Sequence, residues 1–109
     1  MTWNVIYLDE AKRDFQRLDH SVQKQVVRGI QKVAQNPVSM EQSSYGKPLG
    51  TKEGLNLTNL LKIKFRDLGI RVVYKAEIKD NVMRIIVVSV RSDDQVYQEA
   101  ARRRAKYGL

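Results

Sequence analysis

Two lysines and an arginine in the middle of the chain are spaced in a way that could hold a phosphate group. Lys62 and Lys64 alternate with apolar residues over 61–65, and strict alternation is typical of a β-strand with one buried and one solvent-facing side. Both lysines therefore project from the same side. Positions 66–69 end in glycine and predict a four-residue turn into a second strand, which carries Arg71.

The register between these two strands decides whether the three cations share one surface. We expect Phe65 to lie opposite Ile70 across the turn. An antiparallel register then places Lys64 opposite Arg71, with Lys62 on the same face. Like charges facing each other destabilise a sheet, so the arrangement favours an anionic ligand. Solvent-facing strands also carry lysine and arginine routinely, and a merely solvated face is the competing interpretation.

These residue types suit phosphate chemistry that uses no metal. RNA cleaves itself when its 2′-hydroxyl attacks the adjacent phosphorus. The reaction needs a base for the hydroxyl proton, cations for the charged transition state, and an acid for the departing 5′-oxygen. Lysine, arginine and tyrosine side chains can fill these roles, so RNA cleavage is a chemistry that the chain could support.

The remaining inventory excludes several other enzyme classes. The chain has one histidine, His20, and no cysteine. A paired-histidine ribonuclease, a histidine-rich metal site and a thiolate nucleophile therefore cannot be built within one chain. The glycines form neither a phosphate loop nor a dinucleotide fingerprint. Asp93 and Asp94 could in principle hold Mg²⁺, but acidic residues at a helix start suit the helix dipole, so we expect no metal and no cofactor.

Helices are predicted both before and after the strands that carry the cations in the chain. Asp9 can cap a first helix that runs to about Leu18. Ser21 can cap a second helix, which Asn36-Pro37 ends because the residue before proline is pushed out of the helical region. Ser92, with a glutamine three residues later, forms a capping-box pattern that opens a terminal helix.

The strand pattern completes the expected architecture. Residues 3–8 predict a first strand with both faces covered, and 82–90 predict a β-branched inner strand after a turn at 79–81. The aperiodic stretch 37–59 predicts a long loop. The fold class is therefore α+β, with an N-terminal helical hairpin packed on a roughly four-stranded, antiparallel-rich sheet and a C-terminal helix.

Length and charge set limits on the molecule and its partners. A chain of 109 residues with 42% hydrophobic content suits a single domain over 1–109. The net charge of +8 favours an anionic partner. Residues 1–60 hold eight Lys/Arg and six Asp/Glu, an excess of +2, whereas 61–109 hold twelve and six, an excess of +6. No stretch approaches the roughly 20 apolar residues that span a bilayer, so we expect a cytoplasmic protein without membrane contact.

Four short motifs in the second half of the chain match those of a known family. In chain order they are Lys62-Ile63-Lys64, Ile70-Arg71-Val72-Val73-Tyr74, Ser89-Val90 and Val96-Tyr97. Together they resemble the RelE branch of the RelE/ParE toxin superfamily. The resemblance implies the toxin of a type II toxin-antitoxin system, an endoribonuclease that cleaves mRNA on the ribosome without a metal.

The resemblance also implies a role for each matching residue. Lys62 and Lys64 are implied to bind phosphate and to assist proton removal, and Arg71 is implied to stabilise the transition-state phosphate. Tyr97 is implied to be the general base or a stacking partner for a nucleobase. Many relatives have Gly-Lys-Arg after the Ser-Val, with the arginine as general acid. This chain departs from that pattern, and Arg91 is the implied substitute.

The predicted RNA contacts and partners extend beyond this set. Lys62, Lys64 and Arg71 are expected to bind RNA together with Lys75, Arg102 and Arg103. The expected partners are the ribosome, mRNA and a cognate antitoxin whose acidic or amphipathic segment neutralises the basic face. Two alternatives stay open. One is a ParE-like inhibitor of DNA gyrase, a branch that shares the fold but lacks the lysine, arginine and tyrosine set, and the other is a non-catalytic RNA-binding domain.

Overall fold

The computed structural model describes residues 2–38, 47–52, 55–90 and 92–109. These residues form three α-helices, one 3₁₀ turn and five strands. In chain order the elements are β1 (Asn4–Tyr7), α1 (Asp9–Gln16), α2 (His20–Ala34), β2 (Lys47–Lys52), β3 (Leu55–Phe65), the 3₁₀ turn (Arg66–Leu68), β4 (Ile70–Glu77), β5 (Val82–Ser89) and α3 (Asp93–Tyr107).

The strands form one mixed sheet in the order β1-β5-β4-β3-β2. β1 pairs with β5 in parallel, and the other pairs are antiparallel. The predicted α+β architecture is confirmed, and the sheet has one strand more than expected. That strand, β2, lies in the stretch predicted as a loop, and it forms the outer edge beside β3, where a proline is tolerated because an edge strand needs fewer hydrogen bonds.

The central hairpin has the predicted register. Phe65 lies opposite Ile70, Lys64 opposite Arg71, and Lys62 opposite Val73. The turn closes through Gly69, whose φ of 64° is a left-handed backbone conformation that residues other than glycine and asparagine rarely adopt. The alternation of apolar and cationic residues was therefore sufficient to align these two strands.

The sheet is covered by helices on both faces. On one face the Phe65 ring lies against Gly29 of α2, and the Tyr74 hydroxyl donates to the main-chain oxygen of Pro37 at 2.9 Å. Burial raises the pKa of Tyr74, so this phenol stays protonated. On the opposite face α3 packs through Val96 and Ala100, which are fully buried. Side chains that alternate along β3 and β4 therefore face two different helical layers.

Several local expectations are wrong. β1 was expected to be covered on both faces, but Ile6 is 41% exposed, and among the described strands β1 pairs with β5 alone. Ser21 was expected to cap α2, but that helix already begins at His20. Asp9 was expected to cap α1, but it is the first residue of that helix and Leu8 is the N-cap. Ser92 does precede α3, but its side chain makes no capping hydrogen bond.

Helix α1 takes the place of β1 along the second half of β5. The pairing between β1 and β5 ends at Ile85. Further along the same strand, the Val88 N–H donates to the Asp14 carboxylate of α1 at 3.1 Å. A helix side chain thus satisfies a backbone group at a sheet edge that would otherwise be open.

Candidate active site

Three cations lie side by side on the face of the sheet that α3 covers. The register places Lys64 directly opposite Arg71, and Lys62 lies two residues earlier on the same side of β3. Lys64 is exposed, whereas Lys62 and Arg71 are partly buried. We call the surface formed by these three side chains the cationic face. The cationic face brings like charges together across neighbouring strands, and their repulsion destabilises the sheet.

A phenol from α3 meets this face. The Lys62 Nζ donates to the Tyr97 hydroxyl oxygen at 2.7 Å and lies 5.4 Å from the centroid of the ring. Tyr97 is only 6% exposed, but its hydroxyl end is held at a lysine instead of being enclosed by apolar groups. The ammonium gains both a hydrogen bond and a contact with the ring.

The packing of α3 explains where this phenol points. Val96 and Ala100 are one helical turn apart and bury the same stripe of α3 on the sheet. Tyr97 follows Val96 directly, so its side chain leaves the helix on the adjoining side and reaches across to β3. The helix therefore spans the sheet and delivers Tyr97 to Lys62.

A cleft lies on the β5 side of the cationic face. It has a volume of about 500 Å³ and lies between the end of α1, the end of β5 and the start of α3. Arg17, Ser89 and Gln95 contribute polar groups to its lining. Ser89 lies opposite Arg71 in the sheet, so the cleft is one strand away from Arg71 and two strands away from Lys62 and Lys64.

The other predicted site residues, which are the catalytic candidate Arg91 and three RNA contacts, are less accessible or lie elsewhere. Arg91 lies outside the described residues. Lys75 is on the same sheet face as Lys62, but its Nζ donates to the main-chain oxygen of Leu109 at 3.1 Å. Arg102 is on the outer side of α3, where it pairs with Glu99 at 2.6 Å and Glu10 at 2.7 Å.

Arg103 is buried, with 7% of the residue exposed. Its guanidinium pairs with Asp14 at 2.6 Å and with Glu99 at 2.6 Å, and it donates to the Ile86 oxygen at 2.8 Å. Burial disfavours the charged form, but the bonds to Asp14 and Glu99 outweigh it and raise the pKa of Arg103. These contacts turn Arg103 toward the interior, so the geometry gives it a packing role.

Sequence reasoning missed Asp14 and Glu99, the acidic partners of this arginine. A signal was present, because Arg103 follows Val96 and Ala100 at the i, i+4, i+7 positions that line the buried face of a helix. An arginine on a buried stripe requires carboxylate or carbonyl partners. Asp14, which lies on α1, is too distant in sequence to be recognised without the fold.

Within residues 2–38, 47–52, 55–90 and 92–109, no three acidic or histidine side chains form a group that could hold a metal ion. No helix in those ranges has the length and apolarity to cross a bilayer.

A helical hairpin, a mixed sheet and a terminal helix that brings a tyrosine to a lysine-rich strand define a small α+β protein of the RelE/ParE type. Residues 5–97 match the family model described as the ParE toxin of type II toxin-antitoxin system, parDE. The chain therefore belongs to this toxin family, and it is a RelE-like toxin of the RelE/ParE superfamily, as its motifs predicted.

Individual relatives agree with this assignment. A putative RelE-like toxin protein of Escherichia coli is 27% identical over 103 residues, which cover 94% of this chain and 98% of the relative. A mutant of the E. coli toxin RelE in the free state has a TM-score of 0.72 and 23% identity, covering 94% of this chain and 98% of that one. A chain of the intact E. coli RelBE toxin-antitoxin complex has a TM-score of 0.63 and 21% identity, covering 83% and 98%. At these identities the solved structures establish the shared fold.

Proposed function

We propose that this toxin is an endoribonuclease that cleaves mRNA on the ribosome by attack of a 2′-hydroxyl on the scissile phosphate, without a metal. The observation that carries the proposal is the 2.7 Å hydrogen bond from Lys62 to Tyr97 beside the facing cations Lys64 and Arg71. Lys62 and Tyr97 can exchange a proton, and Lys64 and Arg71 can neutralise negative charge. Together they suit a reaction that transfers a proton and builds negative charge on phosphate.

Each chemical step has a candidate group. In its deprotonated state, the pair formed by Lys62 and Tyr97 accepts the 2′-hydroxyl proton while the bond from that oxygen to phosphorus forms. Lys64 and Arg71 neutralise the non-bridging oxygens of the phosphate. The bond from phosphorus to the 5′-oxygen then breaks, and Arg91, two residues beyond Ser89 in the sequence, donates the proton to that oxygen.

The cleft gives this chemistry room for a single strand. Its volume of about 500 Å³ exceeds that of a nucleobase, and its lining mixes apolar walls with polar groups. Unpaired RNA bases are held by such combinations of apolar contact and hydrogen bonds. An mRNA strand whose phosphate meets the cationic face could thus place a flanking base in the cleft.

Primer extension on a translated message during induced expression tests the proposal. We expect cuts linked to codon position and growth arrest. Lys64→Ala or Arg71→Ala should abolish both, since each removes a cation from the proposed phosphate site. Lys79→Ala is the matched control, because Lys79 is exposed in the turn between β4 and β5. Growth arrest unchanged in both site variants would contradict the proposal.

We further propose that the toxin is neutralised by a cognate antitoxin. The related E. coli toxin RelE occurs in a toxin-antitoxin complex. The excess of +6 in residues 61–109 favours an acidic or amphipathic antitoxin segment that covers the cationic face. Such a segment would block the phosphate site directly.

A second candidate function follows from the family model. Because that model is described as the ParE toxin, inhibition of DNA gyrase is the alternative. Gyrase supercoiling assays with the purified toxin separate the two functions. Inhibition of supercoiling, with an intact message in the primer-extension experiment, would replace the nuclease by the gyrase inhibitor.

A further inference from the structure

A forked ion pair joins α3 to the opposite helix. The Arg103 Nη1 donates to Asp14 Oδ2 at 2.6 Å, and its Nη2 donates to Asp14 Oδ1 at 3.2 Å. Two parallel bonds between a guanidinium and a carboxylate fix orientation as well as distance. The contact spans 89 positions of sequence and is partly buried, so it specifies how α3 sits against α1.

The same two side chains also hold the backbone of β5. Asp14 accepts from the Val88 N–H at 3.1 Å, and Arg103 donates to the Ile86 oxygen at 2.8 Å. Ile86 lies at a register irregularity between β4 and β5, where a strand leaves backbone groups available. One cluster therefore ties α1, the edge of β5 and α3 together.

The apolar contacts of α3 come from Val96, Tyr97 and Ala100, which are all buried. The buried positions of its inner face that precede Arg103 include Ala100, a small residue whose methyl gives little shape to the contact. The directional bonds from Arg103 to Asp14 add an orientation that packing through a methyl group does not specify. Tyr97 emerges toward β3 on the side of the helix that adjoins the buried stripe, so a small rotation of α3 would carry its hydroxyl away from Lys62.

We propose that Asp14 and Arg103 form a positioning pair that fixes the rotation of α3 and so holds the Tyr97 hydroxyl at Lys62. The catalytic consequence rests on the proposed nuclease function. The structural consequence, a contact between Lys62 and Tyr97 that depends on a distant ion pair, does not. The two can therefore be tested apart.

Fluorine NMR of the full chain labelled with 3-fluorotyrosine tests the structural consequence. The chain has five tyrosines, and the Tyr97→Phe spectrum identifies the resonance of interest. Lys62→Gln should shift that resonance in the wild-type background by removing the ammonium. In Asp14→Asn, which keeps the side-chain shape and the acceptor for the Val88 N–H, the effect of Lys62→Gln should be much smaller. Arg103→Lys serves as a second variant that keeps the charge but loses the fork.

Single-turnover and steady-state cleavage on ribosome complexes test the catalytic consequence. Both variants should lower kcat by about tenfold with KM nearly unchanged, since misplacement of a reacting group costs rate and leaves substrate contacts intact. Glu77→Gln is the control and should leave kcat unchanged, because Glu77 pairs with Arg84 at 2.8 Å between β4 and β5 and has no part in the contact of α1 with α3 described above.

The inference is overturned if the variants have native circular dichroism and wild-type kcat, and if Lys62→Gln still shifts the Tyr97 resonance fully in their background. The pair would then be a purely stabilising contact. If Asp14→Asn or Arg103→Lys uncouples Tyr97 from Lys62 but the wild-type toxin cleaves no RNA, the positioning pair stands and the proposed function fails.

Discussion

Lys62 and Tyr97 are 35 positions apart in sequence, and their hydrogen bond joins a strand to a helix. Both residues could be selected from the sequence by motif. The alternation in β3 placed Lys62 and Lys64 on one face, and the hairpin register added Arg71 to it. The direction of Tyr97 could not be predicted, because it depends on how α3 lies across the sheet. The prediction for Arg103 illustrates the same limit, since an arginine is expected in solvent until its carboxylate partners are known.

Removing one hydroxyl tests the role of Tyr97. Tyr97→Phe should reduce the rate of mRNA cleavage by about 100-fold, the lower end of what a positioned acid or base contributes. The loss of one hydrogen bond should lower the free energy of unfolding by only about 1 kcal/mol. Tyr107→Phe, at the exposed end of α3, is the control and should retain full activity. Equal rates for the two variants would remove Tyr97 from the reaction.

The elements show why some structure was predictable and some was not. Strict alternation fixed the hairpin of β3 and β4, and Asn36-Pro37 ended α2 as expected. β2 was missed because Lys47–Lys52 contains proline and glycine and has no alternation. Its pairing with β3 is a tertiary contact that overrides weak local propensity. The edge position of β1 is likewise decided by its partner, which the sequence of that strand does not encode.

The turn between β3 and β4 offers a test of the hairpin. Gly69 has φ 64° with open space around the position of a Cβ, so Gly69→Ala should lose about 1 kcal/mol of folding free energy through backbone strain alone. Gly69→Asn should be tolerated better, since asparagine adopts this conformation more readily. Urea denaturation of the two variants measures the difference, and an alanine variant as stable as the wild type would contradict the strained turn.

Across the whole molecule, charge is divided between two uses. On the cationic face, Lys62, Lys64 and Arg71 lie together, as the proposed phosphate site requires. At the contact of α1 with α3, Asp14, Glu99 and Glu10 neutralise the arginines that sequence reasoning had assigned to RNA. The net charge of +8 thus overstates the basic surface available to RNA, and the carboxylates of this contact make its stability depend on pH.

Glu99 should make the protein sensitive to acid. Hydrogen bonding to Arg102, opposed by partial burial and aided by Arg103, lowers the pKa of Glu99 to about 2. A depressed pKa stabilises the folded state above the ordinary value near 4.5, and this stabilisation is lost as pH falls toward 2. Glu99→Gln should therefore cost about 1 kcal/mol at neutral pH, after allowance for solvent screening, and almost nothing near pH 2. Chemical denaturation across this range measures the difference, and a pH-independent gap would contradict it.

The chemistry of the RNA ends tests the proposed nuclease most directly. Ribosomes that hold a defined mRNA with an empty A site are first chemically cross-linked. A chelator then removes free divalent metal, and purified toxin is added last. Cleavage through the 2′-hydroxyl predicts a 2′,3′-cyclic phosphate on the upstream fragment and a 5′-hydroxyl on the downstream fragment. An intact message, or fragments that carry a 3′-hydroxyl and a 5′-phosphate, would contradict the role proposed for the cationic face and Tyr97.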